Sequence, residues 1–320
     1  MGSELKSAQM IVGTVPESGW KKALDRIWKY KLLYLLLLPG FLWVFIFDYL
    51  PVFGISVAFM DYNFIRGISG SEWAGLKYFH ALFESDMFWT AFKNTLIINL
   101  YKMISGFICP ILLALALNEI RIKWFKKTLQ TAVYLPRFVS WVVYGGIITL
   151  LLSPETGIVN KVVELLGGSP AYLLADHHYF RTILVVTDAM KEMGWAAIIY
   201  IAAIAGLNPE VNEAAVVDGA TRFQRIIYMT LPGISGTIVV MFILRVGFIM
   251  SAGLDQVINL YNPMVLQVGD ILDTYIYRVG VEQFNISVAA AADVIKGIIG
   301  LAMVLTANHF AKRINDSGIF

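Results

Sequence analysis

The sequence predicts an all-α polytopic membrane protein with six transmembrane helices. Three observations predict it. The 320-residue chain is 58% hydrophobic with a mean hydropathy of +0.68. Only 15% of it is charged, against about a quarter in soluble domains. Its apolar runs recur at the roughly 20-residue length that a bilayer core demands of a helix.

Taken in order, residues 1–31 form a polar tail that ends basic and aromatic, with Lys21, Lys22, Arg26, Lys29 and Lys31 beside Trp20, Trp28 and Tyr30. That is the composition of a membrane edge. No small-residue cleavage site follows a short apolar core, so a cleaved signal peptide is not expected. The first span covers about 32–58, a length that allows tilt or a kink at Pro39. Polar, mixed residues 59–87 contain an amphipathic stretch, Trp73 to His80, read as an interfacial helix. The second span covers about 88–117 and carries Lys93 and Lys102, to which the sequence assigns no role. A basic turn with Arg121, Lys123, Lys126 and Lys127 leads to a third span over about 132–152. A loop with one weak helical segment fills 153–180, and the fourth span covers about 181–206. The fifth span is expected over 233–252, a thirty-residue loop over 253–284, and the sixth span over 285–310. Residues 311–320 form a short tail. The membrane domain is therefore 32–310, between two tails.

Lys and Arg counts orient the spans. The N-terminal tail, the 119–130 turn, the 207–232 loop and the C-terminal tail together carry fourteen. The three opposite loops carry four, Arg66, Lys77, Lys161 and Arg278. The positive-inside rule places both termini and the 207–232 loop in the cytoplasm, with the chain multi-pass in the membrane.

The 207–232 loop is built as a surface. Asn208 is a cap, Pro209 suits a first helical turn, and Glu210 and Glu213 favour the positive end of the helix dipole. A short helix over about 209–218 is expected, then a bend at Gly219. A second basic segment with Arg222 and Arg225 follows, which Leu231-Pro232 is expected to stop.

Ionisable groups inside spans are costly and face protein or a water-filled path. Asp188, Lys191 and Glu192 share one face of span four, with Trp195 a turn on. Arg245 lies in span five, and Asp293 and Lys296 lie in span six. These read as a polar path with an aromatic stacking surface, or as internal ion pairs holding helices together. For Asp293 with Lys296 the two readings weigh equally. The third outer loop adds Asn259, Tyr261 and Asn262, groups that hydrogen-bond hydroxyls.

Other chemistries find no support. No G-x-x-x-x-G-K-[ST] phosphate loop, HExxH, CxxC or GxSxG occurs. The lone Cys109 permits no disulfide framework. His177-His178 reads as a solvated pair, and nothing points to nucleic acid. The chain is expected not to be an enzyme and to hold no cofactor.

Glu213-Ala214-Ala215, Asp218-Gly219 and Leu231-Pro232, with Arg222 between, resemble the EAA loop of permease subunits of bacterial ABC importers. The spacing is the family's; Met229 stands where Ile is usual. Leu135 to Trp141, Asp255 to Val257, Leu260 to Pro263, Asp273 to Gly280 and Asn315 to Phe320 resemble the oligosaccharide subclass of maltose-type permeases. Asp293 and Lys296 depart from the more apolar stretch expected there. The resemblance implies a loop that docks into a partner ATPase and transmits ATP-driven closure. It also implies a second, related permease, two ATPase subunits that bind ATP and Mg, and an extracellular solute-binding protein delivering an oligosaccharide. Permeases for amino acids, phosphonate or metal complexes share the EAA loop, and a non-transporting sensor that kept the fold is the remaining alternative.

Overall fold

The computed structural model describes residues 28–315, with side chains through His309. The expectations for residues 1–27 and 316–320 lie outside them. The chain divides into two units, Met1–Ile55 and Ser56–Phe320. In the first, helix α1 begins at Lys31 and stays α-helical to Val44 with Pro39 inside it. The regularity is lost further on, where a π turn, Phe45–Tyr49, gives way to 3-10 turns over Leu50–Phe59. Pro51 stands at that change and cannot supply an N–H to an α ladder. The disturbance allowed at Pro39 is therefore displaced toward Pro51. Lys29 stacks on Tyr30 and Lys31 on Trp28, the cation–aromatic pairing of a membrane edge.

The second unit opens on a two-stranded antiparallel hairpin, β1 (Met60–Asp61) against β2 (Glu72–Trp73). Helix α2 (Lys77–Phe83) follows. Trp73 thus sits in a strand, stacked on Phe59, not at the head of an interfacial helix. The Tyr78 hydroxyl donates to Asp61 at 2.7 Å and Lys77 approaches it at 3.3 Å. Those two partners hold the Asp61 carboxyl below its ordinary range, Tyr78 contributing most. Ser287 donates to the Met60 carbonyl at 2.7 Å, which fastens the hairpin to the last helix.

Helix α3 (Asp86–Glu119) is the long central element, capped by Ser85. Its 34 residues reach about 50 Å, well beyond a hydrocarbon core. Beyond it, the basic residues assigned to a turn from Lys123 onward belong to helix α4 (Lys123–Phe138). The predicted third span is not one helix. α4 and α5 (Trp141–Leu151) meet at 108°. Pro136 weakens the end of α4, Val139 is extended, and Ser140 caps α5 by accepting from Val143 N–H at 3.4 Å.

The 153–180 loop contains helix α6 (Ile158–Leu165), as expected. Buried Asn160 organises it, donating to the Leu152, Ser153 and Ala171 carbonyls. Helix α7 (Phe180–Ala205) is continuous and 26 residues long. A 73° turn separates it from helix α8 (Pro209–Val217). Helix α9 runs from Arg222 to Gly233 through a π turn at Ile226–Thr230. Pro232 therefore does not stop the basic segment. The wider turn before it lets Pro232 sit in the first turn of a new helical start, and the 63° bend falls after Gly233.

Helix α10 (Ser235–Gly247) is shorter than the fifth span expected from the sequence. Residues 248–253 are irregular, with Gly253 at φ 85°. The predicted outer loop is a helical cap: α11 (Leu254–Leu260), α12 (Leu266–Gly269) and α13 (Leu272–Tyr277), continued by a π turn to Glu282. Its Val257, Val265, Ile271 and Leu272 are fully buried. Asp270 ties it together, accepting from Arg278 at 3.0 and 2.5 Å and from Thr274 at 2.8 Å. The Asp270 hydrogen bond is the main reason the Arg278 pKa is raised. Helix α14 (Ile286–Asn315) closes the unit and extends into the stretch read as a tail.

Three described helices are long and apolar enough to cross a membrane unaided, and counting each of three bent pairs as one span brings the number to as many as six. Three apolar clusters hold the second unit. One lies beneath the cap around Phe180, Leu184 and Val257. Another joins α2, α3, α13 and α14 around Leu82, Phe88 and Leu272. The third joins α3, α7 and α10 around Ala114, Ala197 and Tyr200.

α4 and α7 approach so closely that a Cβ at Gly194 would run into the Val133 carbonyl. Backbone cannot yield as a side-chain end does, so overpacking here costs about 1–3 kcal/mol. Gly194→Ala should lower the melting temperature of the detergent-solubilised protein. Gly146→Ala, where a Cβ meets open space, should leave it unchanged or raise it slightly.

Candidate functional site

A cleft of about 640 Å³ opens between α3, the α4–α5 elbow, α7, α10 and the irregular 248–253 segment. That lies within the 300–1,000 Å³ usual for small-molecule sites. Each wall is set by a local feature. α3 contributes Asn99, Lys102, Gly106 and Phe107; the elbow contributes Arg137 and Trp141. α7 presents Asp188, Glu192, Trp195 and Tyr200 at helical spacing. α10 adds Arg245 near its end, and the broken segment adds Phe248, Ser251, Ala252 and Gly253. Irregular backbone at membrane depth is tolerated where it lines such a cavity.

The charges form a linked set. Asp188 lies 3.5 Å from the Lys102 Nζ and 3.9 Å from an Arg245 guanidinium nitrogen. Arg137 donates to Glu192 at 2.9 Å. Lys102 is buried and also donates to the Ala252 carbonyl at 2.7 Å and to Gln256 Oε1. Gln256 in turn donates to the Leu184 carbonyl and to Thr187. Arg245 donates to the Lys102 carbonyl at 2.9 Å. Its guanidinium occupies the space beside Gly106, where a Cβ would collide with it. The lining thus carries three cations, Lys102, Arg137 and Arg245, against two carboxylates, Asp188 and Glu192. Trp195 is half exposed, edge-on to Phe138. With Phe107, Trp141, Tyr200 and Phe248 it supplies flat apolar faces beside the charges.

Of the residues expected to line the path, the cleft brings together Asp188, Glu192, Trp195 and Arg245. Lys191 is one position off that face. It is 2% exposed and turned into the elbow, where it donates to the carbonyls of Pro136, Arg137 and Val139. Spacing placed it with Asp188 and Glu192, but a step of one residue rotates a side chain by about 100°.

Asn259, Tyr261 and Asn262 are not in the cleft. Asn259 donates to the Asp255 carbonyl, and Asn262 donates to the Leu174 carbonyl while capping a turn at Met264. They are spent on the cap's own folding. Asp293 and Lys296 lie elsewhere too. Lys296 pairs with Asp273, and Asp293 stands 3.9 Å away and largely exposed. They are paired internally, and the closer carboxylate to Lys296 is the better-buried Asp273 of the cap, not the Asp293 of its own helix. Asp273 also accepts from Ala252 N–H at 3.2 Å, so this ion pair braces the wall of the cleft from behind.

Residues the sequence left without a role, or did not single out, are Lys102, Asn99, Arg137 and Trp141. Lys102, central in the longest helix, was visible as a mid-span charge whose partner lay on another helix. Ser140 was the cap signal for the elbow that aims Arg137 and Trp141. Lys93 is exposed, in keeping with a snorkelling side chain. His177 and His178 are both exposed, and His177 contacts the Met264 carbonyl. No cluster of metal-ligand residues occurs among the described residues.

In the 207–232 loop, Asn208 Oδ1 caps α8 by accepting from Glu210 N–H at 3.0 Å. Gly219 has φ 83°, the left-handed region. Thr221 and Gln224 form a capping box that starts α9. Arg225 reaches back to Asn212 at 3.1 Å and closes the two helices on one another. Ala215 alone of α8 is buried, while Val211, Val216, Val217 and Phe223 are exposed apolar groups.

Removing the Asp188 charge leaves Lys102 buried without its carboxylate, a change that costs about 3 kcal/mol when a buried pair is broken. Asp188→Asn should lower the detergent melting temperature. Asp188→Asn combined with Lys102→Met should recover part of that loss, and a fully additive pair of losses would refute the pairing.

Comparison with known proteins agrees with this architecture. Residues 106–316 match the family model for the binding-protein-dependent transport system inner membrane component. The chain is 40% identical over 300 residues to the polygalacturonan/rhamnogalacturonan transport system permease protein YteP of Bacillus subtilis, covering 94% of each. It is 27% identical to the arabinooligosaccharides transport system permease protein AraP of the same organism, over 94% of this chain and 93% of the relative. A chain in the crystal structure of a bacterial ABC transporter that imports the acidic polysaccharide alginate superposes with a TM-score of 0.86. Its identity is 39%, and the match covers 92% of this chain and 99% of that one. The chain therefore belongs to the family of inner-membrane components of binding-protein-dependent transport systems, as a multi-pass transport subunit of an ABC importer.

Proposed function

We propose that this chain is the permease subunit of an ABC oligosaccharide importer and that the cleft between α3, α7 and α10 holds the sugar. The observation that carries the reading is the pairing of chemistries in one cavity: aromatic faces for sugar rings beside hydrogen-bonding charges for hydroxyls and carboxylates. The excess of cations over carboxylates in the lining favours an acidic oligosaccharide. The relatives support this, since one is named for polygalacturonan and rhamnogalacturonan and another imports alginate.

The remaining parts follow from the sequence and its resemblance. A second permease completes the path, two ATPases supply ATP hydrolysis with Mg, and a solute-binding protein delivers the sugar from outside. The likeness to an alginate importer solved with a pentasaccharide-bound periplasmic protein supports that last partner. Fourteen basic residues assigned to one side support a cytoplasmic position for both termini and the 207–232 loop. There α8 and the bend at Gly219 form the coupling surface, with Glu213, Ala214, Ala215, Asp218, Arg222, Leu231 and Pro232 as its framework. The exposed valines of α8 and Phe223 provide the apolar area an ATPase groove would cover.

Reconstituted with its partners in proteoliposomes, the transporter should take up uronate oligosaccharides. Arg245→Ala should raise KM for them about tenfold, the equivalent of ~1.4 kcal/mol, and affect neutral oligosaccharides far less. Equal effects on both would remove Arg245 from carboxylate recognition. Glu213→Lys and Gly219→Leu should leave membrane insertion intact and cut binding-protein-stimulated ATPase activity and transport together by tenfold or more. Normal coupled transport by both variants would overturn the coupling assignment.

A further inference from the structure

The α4–α5 elbow holds the best-organised buried charge outside the cleft. Lys191 Nζ meets the carbonyls of Pro136 at 2.8 Å, Arg137 at 3.4 Å and Val139. These carbonyls lie at the end of α4 and in the 108° break that follows it, and Pro136 also accepts from Val139 N–H at 3.3 Å. The ammonium also lies over the Trp141 ring at 5.2 Å and the Tyr144 ring at 5.5 Å. One side chain of α7 therefore grips the last turn of α4, the connecting residue and the first turn of α5. A cation at a helix C-terminus and over aromatic faces is favoured on each count. One turn further along α7, Gly194 lets the backbones touch, and beside it Glu192 holds Arg137.

The elbow matters because of what it carries. Arg137 and Trp141, on either side of the break, both line the cleft. α7 in turn runs unbroken to Ala205 and turns directly into α8. We propose that Lys191 is a positioning residue that locks the α4–α5 elbow to α7, so that Arg137 and Trp141 travel with the helix that ends in the coupling loop. The proposal rests on the reading of α8 as the coupling helix. Displacement of α8 by the ATPases then reaches the substrate cleft without passing through a flexible joint. Without the lock, α7 would move past the elbow and the cleft wall would stay behind.

The test uses the complete reconstituted transporter with its ATPases, partner permease and binding protein. Spin labels are placed at Val142→Cys and Val186→Cys in a Cys109→Ser background. In the parent the distance should be the same before and after nucleotide trapping. In Lys191→Met it should broaden or shift on trapping, transport should fall at least tenfold, and ATP consumed per sugar should rise. Lys191→Arg, which keeps the cation, should recover most of the transport. A parent distance that changes on trapping overturns the proposal and does not depend on any Lys191 variant folding. A Lys191→Met transporter with the parent's ATP-to-sugar ratio also overturns it. If instead Glu213→Lys leaves that ratio unchanged while the parent label distance stays fixed, the coupling reading fails and the elbow lock survives.

Discussion

Charge burial within the spans is the constraint on which the second unit depends. Lys102, Asp188 and Arg245 come from three different helices, and none can be left alone at membrane depth. Bringing them together fixes the relative rotation of α3, α7 and α10. Because the set is held by carbonyls as well as carboxylates, it also requires broken helices. Lys102 takes the Ala252 carbonyl from the irregular segment after α10, and Lys191 takes three from the elbow. Each break frees backbone acceptors that a nearby ammonium then satisfies. The cost of unwinding a helix and the cost of burying a lysine offset one another.

This reciprocity explains how a chain so apolar can enclose a polar cleft. A regular bundle of α-helices hides every backbone group and shows only side chains. Here the cleft is lined by regular helices on two sides and by a helix end or an unwound segment on the others. The Asp273–Lys296 pair extends the same device one layer outward. It holds the Ala252 N–H from behind while Lys102 holds the carbonyl of that same residue in front.

The sequence made legible what depends on local runs: the number and approximate extents of the spans, the Asn208 cap, the helix that follows it and the left-handed bend at Gly219. Four residues of the cleft were legible as well, because Asp188, Glu192, Trp195 and Arg245 are charges or aromatics placed where hydrophobes are expected. What could not be read was direction and partnership. Lys191 differs from Glu192 by one position and faces another way. Lys296 prefers Asp273 to the aspartate on its own helix, a choice made by a cap whose fold depends on long-range burial. That cap was read as a loop because its short helices are interrupted by Pro263 and by Gly269, and its apolar residues are too few in each piece to show a period. The elbow escaped notice since composition alone makes 132–152 a good span.

The same physics connects the cleft to the 207–232 loop. α7 bears as much of the site as α3 does, and it is the helix that leads into α8. Its polar residues divide by face: Asp188 and Glu192 look into the cleft, and Lys191 looks into the elbow. A helix that both lines the cleft and ends at the proposed docking surface can pass on motion only if its neighbours are fixed to it on the cleft side. Apolar packing alone would let α4 slide along α7, because lipid-solvated helices lack the hydrophobic drive that resists sliding in water. Directional hydrogen bonds to three carbonyls, and a glycine contact that admits one register, remove that freedom where the cleft requires it.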